Sequence, residues 1–447
     1  MEQRQTRPRL IQAMIDAFSL PDLRGKLLFT LFILVIFRFV AQVPVPTANG
    51  DAMVEVMKSN QLFGMLDLFS GGAMKNFSIL AMGVYPYITA TIVMQLLTPV
   101  IPQLMALSRE GEAGRNKINM YTHWLAVPLA ALQAYGQVVM LSRETVEVNG
   151  VAVSPVQPEG ALAWATIILS MVAGTMFLVW LGELITERGI GNGVSIIIFG
   201  GIVAGMPSLV ARGGLVWDTD KWGIIAFAVL GLATIMGIVI FTEAARRIPV
   251  HYSKSVFRGR RMYRQSGSTH IPLKVNSAGM IPLIFAMSLV MLPGIVASYF
   301  PSSGGTISQG GGVAHFLRWW EQGSWDWSYF LVYGLLVVGF TFFYTIVIFE
   351  QMNLPETLQK QGGFIPGVRP GPNTSTYLSQ VMTRITWAGA IFLALVAVLP
   401  YIARKLTGVE VVVLSSTALL IMVGVALDTM KQLEAQLLMR RYEGFLK

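Results

Sequence analysis

The chain has 447 residues, 54% of them hydrophobic and only 13% charged, with a net charge of +9. So few charges, about half the share carried by soluble domains, exclude a water-solvated globular fold and leave lipid as the solvent. With no cysteine, and with His123, His251, His270 and His315 far apart, disulfides, thiolate metal sites and spaced zinc ligands are excluded too.

The N-terminus is polar through Arg9, and 1–24 reads as a cytoplasmic segment. The first apolar run, 27–43, continues into Pro44-Val45-Pro46 with no small-residue cleavage site, so it reads as a retained span. A hydrocarbon core about 30 Å thick needs around 20 apolar helical residues. On that basis the predicted spans are 25–43, 79–100, 121–141, 161–182, 191–211, 222–242, 275–298, 327–349, 383–403 and 410–428. The expected fold is an all-α polytopic membrane protein of about ten transmembrane helices. With the N-terminus inside, the segments on that side, counted with Lys26 and Arg384 at the inner edges of their spans, hold 24 of the 33 Lys and Arg and the outer ones 8; the last is Arg38, within the first span. This asymmetry puts both termini in the cytoplasm and makes the positive charge mostly an orientation signal.

Arg38 lies near the outer end of its span, where it either snorkels to the headgroups or makes a buried pair. Segment 62–75, LFGMLDLFSGGAMK, is too short to cross and carries Asp67 and a Gly71-Gly72 break. It is either an amphipathic surface segment or a short helix folded back into the protein. Spans two and seven share punctuation: Gly83-Val84-Tyr85-Pro86 opens one and Gly279-Met280-Ile281-Pro282 the other, with Leu97-Thr98-Pro99 and Leu292-Pro293 closing them. Pro86 and Pro282 each remove a backbone hydrogen bond and are predicted to bend the helix there. The two spans hold the same place in a five-plus-five arrangement, and an odd number per half requires one half to be inverted. Matching interrupted helices point to a functional pathway at the interface between halves. The halves are 25–211 and 212–428, followed by a cytoplasmic tail at 429–447.

Gly189-Ile190-Gly191-Asn192-Gly193 looks like a phosphate-binding turn, but no strand precedes it and no ribose-binding acid follows. It reads as a flexible turn into the fifth span. Neither a G-x-x-x-x-G-K-[ST] loop nor a Ser-His-Asp grouping nor H-E-x-x-H occurs, so neither an enzyme nor a cofactor is expected. The interiors of spans two and four to eight lack Asp, Glu, Lys and Arg. That argues against ion coupling, and hence against the competing reading, an inverted-repeat secondary transporter for a small solute. Glu183, Glu187, Glu243, Glu350 and Asp428 cluster at cytoplasmic span ends as hydrated helix-end charges.

Longer stretches carry a resemblance. They are Phe69-Ser70-Gly71-Gly72-Ala73, Pro86-Tyr87-Ile88-Thr89-Ala90 through Gln95-Leu96-Leu97, and Glu110-Gly111-Glu112-Ala113-Gly114-Arg115. Further along come Trp180-Leu181-Gly182-Glu183 through Thr186-Glu187-Arg188-Gly189-Ile190-Gly191-Asn192-Gly193, and Arg246-Arg247-Ile248-Pro249-Val250. Ser268-Thr269-His270-Ile271-Pro272-Leu273-Lys274-Val275-Asn276 and Gly363-Phe364-Ile365-Pro366-Gly367-Val368-Arg369-Pro370-Gly371 complete the set. Together, in this order, they resemble the SecY family, the channel-forming subunit of the bacterial Sec protein translocase.

The resemblance implies two inverted five-helix halves around a central pore in the bacterial plasma (inner) membrane. The function it implies is translocation of unfolded secretory polypeptides, with lateral release of hydrophobic segments into the bilayer. It implies a pore ring of Val84, Ile88, Val194, Ile198, Ile284 and Ile421, and a plug at 62–75 that includes Leu62, Phe63, Met65, Leu66, Asp67, Phe69, Ser70, Gly71 and Gly72. Val84 and Ile88 are four apart, as are Val194 and Ile198, so each pair shares a helix face. A narrow apolar constriction stays dry and blocks ions, and it offers no hydrogen bonds to grip a passing chain. Thr89, Gln133 and Asn276 are implied at a lateral gate. The cytoplasmic loops 244–274 and 350–384 would dock the SecA motor or the ribosome through Arg247, Arg260, Arg261 and Arg369. SecE and SecG are the expected subunit partners; signal peptides, nascent chains and membrane lipids are the expected clients and surroundings.

Overall fold

The computed structural model describes residues 18, 20–46, 48–59, 67, 70–143, 146–148, 151–216, 221–258, 261–298, 327–352, 354–369, 371–407 and 416–445. In chain order the elements are α1 (Pro21–Val40), α2 (Gly50–Ser59), α3 (Tyr85–Val100), α4 (Pro102–Arg109), α5 (Glu112–Arg143), β1 (Val146–Val148) and β2 (Val151–Val153). Next come α6 (Gly160–Arg188), α7 (Gly193–Val216), α8 (Lys221–Glu243), β3 (Ala245–Arg258), β4 (Arg261–Lys274) and α9 (Ile281–Ser298). The chain ends with α10 (Trp327–Met352), α11 (Leu354–Lys360), β5 (Gly363–Phe364), α12 (Pro372–Thr407) and α13 (Ser416–Phe445).

The fold is mostly helical, and a helix lies over each expected span. By length and apolar content five helices qualify as membrane spans among the described residues, or six if the bent pair α3–α4 counts as one. Large apolar side chains stand exposed along them, including Leu162, Leu169, Leu232, Met236, Leu335 and Leu395. Only hydrocarbon solvates such a surface at no cost.

Expectation and structure part in two places. The first is the all-α class. β3 and β4 fill the loop between α8 and α9 and, with β5 from the segment between α11 and α12, form a three-stranded antiparallel sheet in the order β4-β3-β5; β1–β2 form a short hairpin. The register of β3–β4 runs from Ala245↔Lys274 to Arg258↔Arg261. Its cause is period-two burial: Ile248 and Val250 face inward while Arg247 and Pro249 are exposed. The inward face rests on Leu358, Ile365, Leu378, Val381 and Met382.

The second is the proline bends. Pro86 and Pro282 do not bend α3 and α9; they stand at the second helical position, where a missing N–H belongs to a group that has no helical partner anyway. Before each lies a tight turn with a left-handed glycine, Gly83 at φ 58° and Gly279 at φ 65°. The two openings therefore share a device, although the device is a helix start. The sharp bend, 98°, lies between α3 and α4. There Pro102 forces Ile101 into extended backbone at φ −94°, ψ 116°.

The chain divides into two compact units: Met1–Leu215 with Met291–Glu321 and Ile421–Lys447, and Val216–Val290 with Gln322–Leu420. The core of the first collects Met53, Met74, Phe77, Ala130, Ala134, Val138, Leu141, Ile167 and Met171. In the second, rings join helices: Phe241 stacks on Phe392 at 3.8 Å, and Phe285 meets Phe340 and Tyr344 edge-on.

Candidate functional site

Within the first unit, the segment ahead of α3 is held as a folded turn. The Ser70 hydroxyl donates to the Asp67 carbonyl (3.2 Å) and accepts from the Met74 amide (3.1 Å). The Gly72 amide donates to the Asp67 carbonyl at 2.9 Å. The Asp67 carboxylate accepts from the Lys75 amide at 3.2 Å and pairs with the Lys75 ammonium at 3.5 Å. Burial pushes the Asp67 carboxyl above its ordinary range, and Lys75 opposes that shift. Leu62, Phe63, Met65, Leu66 and Phe69 lie outside the described residues.

Gly71 and Gly72 have φ of 67° and 83°, a region that favours glycine. At Gly71 a Cβ would stand 2.7 Å from the Phe37 ring and 2.8 Å from Gly201 Cα, so α1 and α7 close on this backbone. Arg38 donates through Nη1 to the Gly71 carbonyl. Its expected partner was either the headgroups or a buried pair; the partner is the main-chain carbonyl of Gly71 in this turn. The sequence signal, a guanidinium inside an apolar span, was visible, but its partner 33 residues away was not. Gln137 on α5, which sequence reasoning passed over, reaches the Met74 sulfur at 3.1 Å.

Downstream, 77–79 is stitched to the chain leaving α1. Val45 N–H donates to Phe77 O at 2.9 Å and Ile79 N–H to Val43 O at 3.1 Å. Val84 and Ile88 follow, both buried, with the Ile88 amide bonded to the Val84 carbonyl at 3.0 Å. On α7, Ile198 is buried and Val194 half-buried. Ile421 in the same unit is buried, as is Ile284 in the second unit.

The turn before α7, expected to be flexible, is packed. Thr186 Oγ1 accepts from the Gly193 amide at 2.9 Å, and Asn192 Oδ1 caps the helix at the Ser195 amide, 3.2 Å. Gly193 approaches α6 so closely that a Cβ there would fall 1.7 Å from the Gly182 carbonyl oxygen. Ile190 is buried with Leu23 and Leu433. These contacts fix where Val194 and Ile198 stand.

Of the residues implied at a lateral gate, Thr89 and Gln133 meet. Gln133 Nε2 donates to Thr89 Oγ1 at 3.3 Å, and Thr89 donates to Tyr85 O at 2.9 Å. Gln133 Oε1 and Asn276 Oδ1 are buried with no hydrogen-bond partner among the described residues. Glu183, expected as a hydrated helix-end charge, is half exposed and also reaches His123 Nε2 on α5 at 2.9 Å.

In the second unit, Arg247 is exposed on β3 and Arg369 is exposed in the turn between β5 and α12. β5 pairs with β3 at His251↔Phe364 and Tyr252↔Gly363. The Arg369 turn is stiff: its carbonyl accepts from Thr374 Oγ1 at 3.1 Å, and Gly367 and Gly371 take φ of 83° and 110°. Arg260 lies outside the described residues, and only the backbone of Arg261, at the start of β4, is described.

The SecY family model matches residues 78–430. The protein translocase subunit SecY of Halalkalibacterium halodurans is 41% identical over 454 residues, covering 98% of this chain and 100% of the relative. A solved structure of a protein-conducting channel matches with TM-score 0.65 at 16% identity, over 92% of both chains. Sec61 in the canine ribosome-channel complex from the endoplasmic reticulum matches with TM-score 0.63 at 16% identity, again over 92% of both.

Proposed function

Because the chain belongs to the SecY family, we propose that its apolar ring, plug segment, polar seam and cytoplasmic loops work together to pass unfolded secretory polypeptides across a bacterial plasma (inner) membrane. The chain is a multi-pass membrane protein and a protein-conducting channel subunit of a translocase. Identity of 41% along 98% of the chain to a translocase subunit is the observation that carries this reading.

In the proposal ten helices cross the bilayer as two inverted halves, with both termini cytoplasmic. The ring of Val84, Ile88, Val194, Ile198, Ile284 and Ile421 seals against ions by dewetting and accepts any side chain because it binds none. The burial of five of these six apolar side chains supports it. Thr89, Gln133 and Asn276 work as polar latches of a lateral gate. Their support is the Gln133–Thr89 bond and the buried oxygens on Gln133 and Asn276, which find no partner among the described residues although buried polar atoms favour one. A client segment that opens the gate is sorted by solvent: apolar residues leave for lipid, while a charge at mid-span costs about 2.5–3.5 kcal/mol and stays.

The energy source is external. Arg247, Arg260, Arg261 and Arg369 dock a SecA motor or a ribosome; Sec61, a fold neighbour, is in complex with a ribosome. SecE and SecG complete the assembly. The test is reconstitution: the chain with SecE, SecG, SecA and ATP in proteoliposomes should render a secretory precursor protease-resistant. A precursor that stays fully digestible in active vesicles would refute the function.

A further inference from the structure

We propose that Arg38 is the latch that keeps the plug seated, through its hydrogen bond to the Gly71 carbonyl. The consequence for ion sealing rests on the channel reading above; the contact itself does not.

Arg38 sits in the last turn of α1, directly after the wholly apolar run LFILVIF. A guanidinium in such a place is costly and is retained where it faces the protein interior and finds carbonyls. Here it finds one that belongs to a different segment. The plug turn is largely stapled to itself: Ser70, Asp67 and Lys75 satisfy one another. Among the described residues, two side-chain bonds reach it from outside, that of Arg38 and the weak one from Gln137 to the Met74 sulfur. Arg38 supplies the charge-assisted bond, the stronger kind.

The double glycine makes the reach possible. A Cβ at Gly72 would stand 3.2 Å from Arg38 Nη1, and one at Gly71 would run into Phe37 and Gly201. Phe37 and Arg38 are neighbours on α1, so one turn of helix both receives the glycine backbone and bonds its carbonyl. Lifting the plug must break this bond and leave the guanidinium without it, which is what a latch requires.

The test uses the full-length chain in proteoliposomes, read by amide hydrogen exchange and by resting ion conductance. Arg38→Gln should speed exchange at Gly72, Met74 and Lys75 about 10- to 100-fold, the loss of one charge-assisted bond. Exchange in α6 should not change, and resting conductance should rise in the same range. Arg38→Lys, which keeps the charge with a smaller donor, should fall between. Unchanged exchange at those three amides overturns the latch and leaves Arg38 as a snorkelling charge. Equal acceleration in α6 also overturns it, because the residue is then a general fold support. Should Arg38→Gln fail to assemble, Gly71→Ala carries the same expectation at Gly72, Met74 and Lys75, and unchanged exchange there overturns the seat. Because exchange is read without a client, a failed latch leaves translocation standing and a failed translocation leaves the latch measurable.

Discussion

Gly193→Ala is the sharpest perturbation of the proposed path that leaves its lining untouched. The new Cβ would sit 1.7 Å from the Gly182 carbonyl oxygen, 2.6 Å from its carbon and 2.9 Å from Ile185 Cβ. Two of those atoms are backbone of α6, so no rotamer change relieves the clash. The start of α7 must retreat, and the Gly193–Thr186 bond stretches with it. Overpacking typically costs about 1–3 kcal/mol, and the bond adds about 1 kcal/mol, so a loss of about 2–4 kcal/mol is expected. Thermal unfolding in detergent reads it. Gly231→Ala on α8, where a Cβ meets nothing within 4 Å, is the control and should be neutral or gain up to about 1 kcal/mol. Because Val194 and Ile198 ride on α7, resting conductance in a planar bilayer should rise alongside the lost stability. A variant that melts with wild type at unchanged conductance would refute the claim that this contact positions the ring.

Ile88→Asn should let the resting channel leak ions, since an amide wets an apolar constriction; wild-type conductance would remove Ile88 from the ring. Arg369→Glu should leave folding intact, the side chain being exposed, while stopping SecA-driven export; normal export would count against docking there. Asp67→Asn tests a sign. The folded pKa of Asp67 is raised, so its ionisation weakens the seated turn; the stability is fully present below the unfolded value of 3.8 and is lost as pH rises through the folded pKa. The amide variant should therefore protect the Gly72 amide better than wild type at neutral pH and flatten the pH dependence of its exchange. Poorer protection would mean that the Lys75 pair outweighs desolvation.

The helices were legible because long apolar runs admit few other readings: one lies over each stretch that hydropathy marked, while by length and apolar content five, or six with the bent pair, qualify as spans among the described residues. The openings of α3 and α9 were half legible. Gly-x-x-Pro marked the right place in both helices, but a proline signals a kink or a helix start equally, and only the left-handed Gly83 and Gly279 decide for the start. The sheet was missed for a different reason. Charge counting took 244–274 as a basic loop, although Arg247-Ile248-Pro249-Val250 alternates and Gly259-Arg260 separates the two strands; Asn149-Gly150 between Val148 and Val151 was an equally plain hairpin signal. Long-range partners were not legible at all. Nothing in the sequence near Arg38 names Gly71, and nothing near Gln137 names Met74.

Those long-range contacts share a physical logic. Lipid tails are as apolar as leucine, so burial gives membrane helices no reason to choose one neighbour over another; close backbone approach does. The first unit uses glycine for this repeatedly. A Cβ at Gly174 would lie 2.0 Å from the Ile79 carbonyl oxygen, one at Gly200 would lie 2.8 Å from Leu34 Cδ2, and Gly71 and Gly193 behave as described above. A protein that must pass every sequence cannot hold its path in place with polar side chains pointing into it, because they would also bind the cargo. Positioning is therefore moved to the backs of the helices, where glycine lets the backbone or side chains of a neighbouring segment come close. A side chain enlarged at Gly174 should accordingly disturb the turn at 79–84, and with it Val84 and Ile88, although Gly174 lines no path itself. Gly174→Ala that both folds as wild type and keeps the resting channel tight would show that the ring is placed by some other means.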